Sequence, residues 1–279
     1  MPLSKLLWGA GVAPCSLPDR IDGAAHAGYD AVTVSPADYR EATESGIDPS
    51  VWVRRAADKG VALTVLDAVI EWYPHAPPKR PLGGSNITVD DVMLGAVAFG
   101  VEIVGALAPF PTDMPVEELG GYFAALADRA ANEGLRVQFE FTPKSPIDDV
   151  AKSTALIKAA DRPNAGILVD SWHFYRVNPD FEALAAVPDG KIFSVQISDG
   201  AAEFVEGLLA DTFRHRLLPG DGVFDLGRLI RALDAKGALN LVGPEVLSLE
   251  QFTLPVAEGA KRAGDALDRA LSAALNTTD

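Results

Sequence analysis

Four short apolar runs in the sequence carry, near their C-terminal ends, a side chain able to hold a cation or move a proton. Residues 136–142 carry Glu140, residues 166–170 end on Asp170, residues 192–198 carry Gln196, and residues 240–246 carry Glu245. In an extended chain alternate side chains share a face, so Gln138 and Glu140 stand opposite Val137, Phe139 and Phe141. The bulky face belongs against helices, which turns Glu140 toward a polar mouth. Successive members of the set are 30, 26 and 49 residues apart. The first two separations are one strand–helix repeat each, and the third is a repeat plus a long loop over 199–222. Any one of these carboxylates could serve as a helix cap or loop anchor; four polar ends in register argue for convergence on one point. Three carboxylates gathered there raise one another's pKa, and a divalent cation relieves the repulsion. An all-oxygen ligand set of Glu140, Asp170, Gln196 and Glu245 suits Mg²⁺ or Mn²⁺, with Co²⁺ or Zn²⁺ admitted behind them.

Other candidates surround this set. His173 follows Asp170 by three residues, and an imidazole with a reference pKa of about 6.5 is matched to proton transfer at neutral pH. Arg216, with Arg214 and His215, precedes the Pro219–Gly220 turn; such a basic group in an acidic chain fits an anionic or polyhydroxy substrate. Asp67, inside the run 62–69, is placed to face the same mouth. Residues 71–86 form a long proline-rich loop in which Trp72 or Tyr73 serves either as a pocket wall or as packing. Trp8 reads as core. Cys15 is the only cysteine, which excludes an internal disulfide framework and a cysteine zinc site, and no adjacent basic residue lowers its pKa.

The elements that must position these residues alternate along the chain. Apolar runs at 6–12, 31–35, 62–69, 103–108, 136–142, 166–170, 192–198 and 240–246 predict strands. Between them, helical periodicity covers 17–27, 50–59, 88–99, 116–133, 148–160, 181–186, 226–236 and 256–274. Gly28, Gly60, Gly134 and Gly237 each stand where a helix must stop. Eight strand–helix units predict a single (β/α)8 TIM barrel occupying residues 1–279 as one domain, with its active site at the C-terminal ends of the strands. An open dinucleotide-binding sheet is disfavoured, since residues 9–14 lack a third glycine and place Pro14 where a helix would begin. Hydrophobic residues make up 48% of the 279 and the net charge is −15, a mix that excludes a disordered chain and makes nucleic acid and anionic membranes poor partners. Nowhere does the chain reach the roughly 20 apolar residues a membrane helix needs. The run at 5–12 reads as a buried strand rather than a leader, so a cytoplasmic location is expected.

Together, Gln138–Phe139–Glu140, Leu168 to His173, Lys191 to Asp199, Arg216 to Gly222 and Gly243 to Val246 resemble the xylose isomerase-like superfamily of TIM barrels, which includes sugar phosphate isomerases and epimerases. The resemblance is detailed in the C-terminal half and extends to the N-terminal half only as rhythm. It implies one divalent metal held from strands five to eight, with His173, Trp172 and Arg216 at the substrate. Gln196 stands where the family usually has histidine. That departure, with Asp170–Ser171–Trp172–His173, is similar to bacterial 3-dehydroshikimate dehydratases of the same superfamily. The implied chemistry is proton abstraction beside a metal-polarised carbonyl. In an isomerase or epimerase of a sugar or keto-polyol, Glu140 and Glu245 hold metal and shuttle protons. In a dehydratase of the 3-dehydroshikimate or inosose type, His173 is the base. The first is preferred; a non-catalytic ligand-binding barrel and an apurinic endonuclease stand behind both, the last opposed by the negative charge. The expected partner is a small polyhydroxy or keto-acid substrate, and a homo-oligomer is admitted.

Overall fold

Alternation along each strand sorts the side chains of this chain into two layers, and the sorting closes a ring. The computed structural model describes residues 3–74 and 87–276. Eight parallel strands pair in chain order into a closed barrel: β1 (Ser4–Leu7), β2 (Ala31–Val34), β3 (Ala62–Val69), β4 (Ile103–Ala106), β5 (Arg136–Glu140), β6 (Ala165–Asp170), β7 (Ile192–Ile197) and β8 (Leu241–Pro244). The barrel is the one expected from the sequence. Leu6, Trp8, Ala31, Val65, Ile103, Leu168, Phe193 and Leu241 fill its interior. Other strand residues, among them Val137, Phe139, Val169, Val195 and Val242, join the much larger core under the helices. Each such side chain, when fully buried, contributes roughly 1.5–3 kcal/mol.

The helical layer comprises α1 (Leu17–His26), α2 (Pro36–Glu44), α3 (Ser50–Asp58), α4 (Val89–Phe99), α5 (Val116–Ala131), α6 (Val150–Ala160), α7 (Ser171–Val177), α8 (Phe181–Ala185), α9 (Leu208–Arg214), α10 (Leu226–Ala235) and α11 (Val256–Leu275). The expected stops at Gly28, Gly60, Gly134 and Gly237 all have φ between 62° and 74°, the left-handed region where a Cβ is penalised. On α11, Ala260, Ala263, Leu267 and Leu271 form the buried face, packed between α1 and α10.

Three helices were not foreseen. α2 carries a full capping box in which Ser35 and Asp38 exchange hydrogen bonds around Pro36. α7 is one short helix begun directly by the last residue of β6. α9 lies within the long loop after β7. The first strand is also shorter than the expected 6–12. After Trp8 the chain turns through Gly9–Gly11, and the Gly9 N–H donates to Thr33 Oγ1 at 2.8 Å, which ties the turn to β2. A Cβ on Gly11 would lie 3.2 Å from the Val246 nitrogen, so the turn rests against the end of β8.

Candidate active site

Register brings the polar strand ends together. Asp170 pairs with Gln196, Gln196 with Gly243, and Glu140 with Leu168. On the β5 face opposite Glu140, Phe139 packs edge-on against Phe123 of α5 at 5.9 Å, which anchors the strand and fixes Glu140 inward. One layer below the mouth, Ser194 Oγ donates to Gln138 Oε1 at 2.7 Å, and both residues are completely buried. Glu140, Asp170, Gln196 and Glu245 are all buried above that pair.

Asp170 is the centre of the arrangement. Its Oδ1 accepts the Trp172 N–H at 2.6 Å and the His173 N–H at 3.4 Å, capping α7. Its Oδ2 accepts from Arg216 Nη1 at 2.7 Å, and the same Nη1 donates to Glu245 Oε2 at 3.1 Å. Gln196 Nε2 donates to Glu245 Oε1 at 3.0 Å. His173 Nε2 lies 3.3 Å from Glu140 Oε1 and 3.5 Å from Asp170 Oδ2. Thus Glu140, Asp170 and His173 offer three ligand atoms within 4.8 Å of one another. Glu245 lies outside that group of three and is tied to Asp170 through their shared partner, Arg216 Nη1.

Arg216 is therefore not a loop cation reaching for substrate, as its sequence context implied. It is 2% exposed, and its Nε donates to the Thr212 carbonyl on α9 at 2.9 Å. The loop that delivers it is built around two aspartates. Asp199 accepts the N–H groups of Gly200, Gly220 and Phe224, and Asp211 accepts those of Val205 and Glu206. Its neighbours in sequence stay outside: Arg214 is exposed and pairs with Glu206. Trp172, expected at the substrate, is completely buried, with the guanidinium carbons of Arg176 and Arg216 each 5.4 Å from its ring centroid. Its ring packs against these guanidinium groups and, edge-on at 5.8 Å, against His173. Among the described residues Trp72 and Tyr73 serve as packing: Tyr73 Oη donates to the Phe110 carbonyl at 2.8 Å. Trp72 Nε1 donates to the Leu107 carbonyl at 2.7 Å, and its ring packs on Phe123 and Phe139 behind the barrel. The remainder of the 71–86 loop, residues 75–86, lies outside the described residues.

Burial dominates the electrostatics. It pushes Glu140 well above the ordinary carboxylate range, helped by the charges of Asp67 and Asp170. Glu245 is raised in the same way, by burial against the pull of Arg216, with Glu140, Asp170 and Asp67 adding repulsion. Burial also pushes at Asp170, but the charges of Arg216 and His173 and the donors on its oxygens outweigh it and hold this carboxyl low. His173 goes down to about 4 through burial, with Asp170 pulling upward and Arg216 downward. The imidazole is thus neutral at pH 7, where the reference value had placed it near its midpoint. Asp67, on the mouth side of β3, is pushed up to about 6 by burial. Burial likewise raises the Cys15 thiol, which leaves it a poor nucleophile.

Several buried atoms here have no hydrogen-bond partner among the described residues, among them Gln138 Nε2, Trp172 Nε1, His173 Nδ1 and Gln196 Oε1. Gln196 spends its amide N–H on Glu245, so its carbonyl oxygen is the end left to accept. An unsatisfied carbonyl beside carboxylates that resist ionisation is the donor chemistry a divalent cation satisfies. The residues present fit such an ion.

Comparison with known proteins places this geometry in context. Among curated relatives, an inosose isomerase of Bacillus velezensis is 29% identical over 149 residues, which is 53% of this chain and 52% of that protein. A 3-dehydroshikimate dehydratase of Pseudomonas aeruginosa is 28% identical over 243 residues, covering 85% of this chain and 36% of that protein. The chain thus spans about half the length of the inosose isomerase, and about a third of the dehydratase. Among solved structures, the IOLI protein with a bound zinc atom superposes with a TM-score of 0.83 at 20% identity, covering 99% of this chain and 100% of that one. An L-ribulose 3-epimerase superposes at 0.74 and 17% identity, covering 99% and 96%. Among the described residues, no helix is long and apolar enough to cross a membrane. A family model described as xylose isomerase-like TIM barrel matches residues 21–270, from α1 through most of α11 and including every strand from β2 to β8. With the ring closed in chain order and its polar ends gathered at one mouth, the chain belongs to the xylose isomerase-like TIM barrel family.

Proposed function

We propose that this chain is an isomerase or epimerase of a polyhydroxy ketone that works with one divalent cation. The observation that carries this reading is the buried meeting of Glu140, Asp170 and His173 within 4.8 Å at the C-terminal mouth of the barrel. Glu140, Asp170, Gln196 and Glu245 would hold the ion, which supplies Lewis-acid polarisation of a substrate carbonyl when bound. Mn²⁺ and Mg²⁺ fit that all-oxygen set best, and the zinc of the related IOLI structure keeps Zn²⁺ among the ions to test. His173, neutral at pH 7, accepts the proton next to the carbonyl at Nε2. Glu140, 3.3 Å from Nε2, is within reach to exchange that proton with the imidazole. Glu245, fixed through both oxygens by Gln196 and Arg216, is the second carboxylate that can hold a proton across the mouth. The burial of all these groups excludes water from the transfer.

A second reading, dehydration, has its own support: the dehydratase relative aligns over 85% of this chain, and Gln196 is the residue that resembles that branch. There His173 again takes the α-proton and returns it to the β-hydroxyl, which leaves as water as the carbon–carbon double bond forms. The two readings share the first step, so the experiment begins with it. Protein loaded with Mn²⁺ in deuterated buffer should exchange the α-proton of an inosose or of a ketose in a panel. The appearance of an ultraviolet-absorbing aromatic product from 3-dehydroshikimate would move the assignment to dehydratase. Metal-loaded protein that exchanges no α-proton on any of these ketones overturns both readings.

His173→Gln separates base from ligand. The exchange rate is expected to fall about 10²–10⁴-fold, the usual contribution of a general base. Mn²⁺ affinity, measured by calorimetric titration, is expected to stay within about twofold. A loss of tenfold or more in Mn²⁺ affinity would instead make His173 a ligand alongside Glu140 and Asp170.

A further inference from the structure

One carboxylate at the mouth has no task in the network above. Asp67 sits on β3, on the same face as Val65, which belongs to the barrel interior. It therefore points inward, one layer above Val65, and its charge is felt by both Glu140 and Glu245. The pairing of β3 with β4 is interrupted between Leu66 and Val69, which frees this stretch from regular register. Beneath the carboxylate lies Gly105 of β4. A Cβ built on Gly105 would overlap Asp67 Oδ1, so the absence of a side chain there is what gives the carboxylate its seat.

What engages the other inward or buried aspartates makes Asp67 unusual. Asp38 accepts a bidentate pair from Arg20, Asp170 takes Arg216 and two N–H groups, and Asp199 takes three N–H groups. Among the described residues, no donor is bonded to the Asp67 carboxylate, and burial alone accounts for its altered proton affinity. A half-buried carboxylate on the inner face of the barrel near its mouth, seated over Gly105 and with no donor among the described residues, is suited to a donor brought by a ligand. In the closed ring β3 lies across from β7 and two strands from β5, so a molecule anchored at Glu140 and Asp170 extends toward it.

We infer that Asp67 is a substrate-binding residue that accepts hydroxyl protons from the end of the substrate remote from the carbonyl, and that it selects a neutral polyhydroxy ketone over a keto-acid. The selection follows from charge and donor chemistry. An ionised carboxylate can only accept, so vicinal hydroxyls satisfy both its oxygens, whereas a second carboxylate placed there adds repulsion and finds no proton to share. Arg216 is committed elsewhere, with Nε on the Thr212 carbonyl and Nη1 shared between Asp170 and Glu245. The inference rests on reading the mouth as a ketone site, and the test keeps the two apart.

Binding of two probes, an inosose and 3-dehydroshikimate, is measured by titration of the Mn²⁺-loaded protein and of its D67N and G105A variants. The wild-type protein is expected to prefer the inosose. D67N should lose about tenfold in inosose affinity and bind 3-dehydroshikimate better than the wild type does. G105A, which leaves residue 67 unchanged and displaces its carboxylate, should lose inosose affinity to a similar extent, and it keeps the test open if D67N folds poorly. Mn²⁺ affinity should be unchanged in both. Wild-type preference for inosose with no change in either variant overturns the role of Asp67 and leaves the functional reading standing. Wild-type preference for 3-dehydroshikimate overturns the selectivity and favours dehydration. A fall in Mn²⁺ affinity in D67N overturns the assignment by making Asp67 a cation ligand. If the metal-loaded wild type binds neither probe, the functional reading falls and the inference falls with it.

Discussion

Asp170→Ala is expected to lower the unfolding free energy by about 3–5 kcal/mol at pH 7 in the presence of chelator, and to abolish divalent-cation binding. The size of the effect comes from what the carboxylate holds. It is completely buried and neutralises part of a guanidinium that is itself 2% exposed, so its removal leaves Arg216 with only Glu245 as a charged partner. It also caps α7 through the Trp172 and His173 N–H groups, and losing that cap adds about 1 kcal/mol. Asp170→Asn tests the partition. Asparagine is as good a cap as aspartate and still offers Arg216 one neutral acceptor, so this variant should recover the cap contribution while losing most of the cation affinity. Urea denaturation of the two variants measures the difference. An alanine variant as stable as the wild type would remove Asp170 from the centre of the network.

The same residue shows what could be read from sequence and what could not. Glu140, Asp170 and Glu245 were legible because each ends an apolar run, and period two with a steady strand–helix rhythm fixes their direction before any tertiary contact is known. Gln196 was legible by phase with Ser194 and Ser198. The second role of Asp170, as cap of α7, was hidden: α7 is short, rich in aromatic residues and joined to β6 with no loop between them. The place of Arg216 was hidden for a different reason. Its partners are 29 and 46 residues away in sequence, and only the folded loop between Asp199 and Phe224 brings them together. The helix that seats it, α9, begins at Gly207 with φ 101° and no side-chain cap, so it left no signal. α2, by contrast, carried a readable one in Ser35–Pro36 with Asp38 at the third helical position. The low proton affinity of His173 and the seat of Asp67 over Gly105 are products of burial and of neighbouring strands, and no local pattern encodes either.

Replacing Glu140 with glutamine should move stability and cation binding in opposite directions. The Glu140 and Glu245 carboxyls both have proton affinities raised by burial and by neighbouring carboxylates. A group that binds its proton more tightly folded than unfolded releases it on unfolding, so the metal-free protein loses stability as pH rises from the ordinary glutamate value of about 4.5 through the raised one. His173 works the other way. Lowered to about 4, it takes up a proton on unfolding between about pH 4 and 6.5, so its contribution is lost as pH falls through that window. As pH rises past 6.5 the histidine becomes neutral in both states, and by pH 7.5 the remaining slope belongs to the carboxylates. Urea denaturation with chelator at pH 6.5, 7.5 and 8.5 should therefore show stability declining with pH in the wild type. Glu140→Gln should flatten that decline and raise stability at pH 8.5 by on the order of 1–2 kcal/mol, because a neutral amide need not be charged inside the barrel. The same variant should bind Mn²⁺ at least about a hundredfold more weakly, since it gives up the charge that attracts the ion. Saturating Mn²⁺ should remove the pH decline from the wild type and leave the variant unaffected, because only the wild type binds an ion that compensates its buried charge. A wild-type stability that is flat from pH 6.5 to 8.5, or a glutamine variant that loses stability and affinity together, would mean that these carboxylates are structural partners of Arg216 and not groups held ready for a cation.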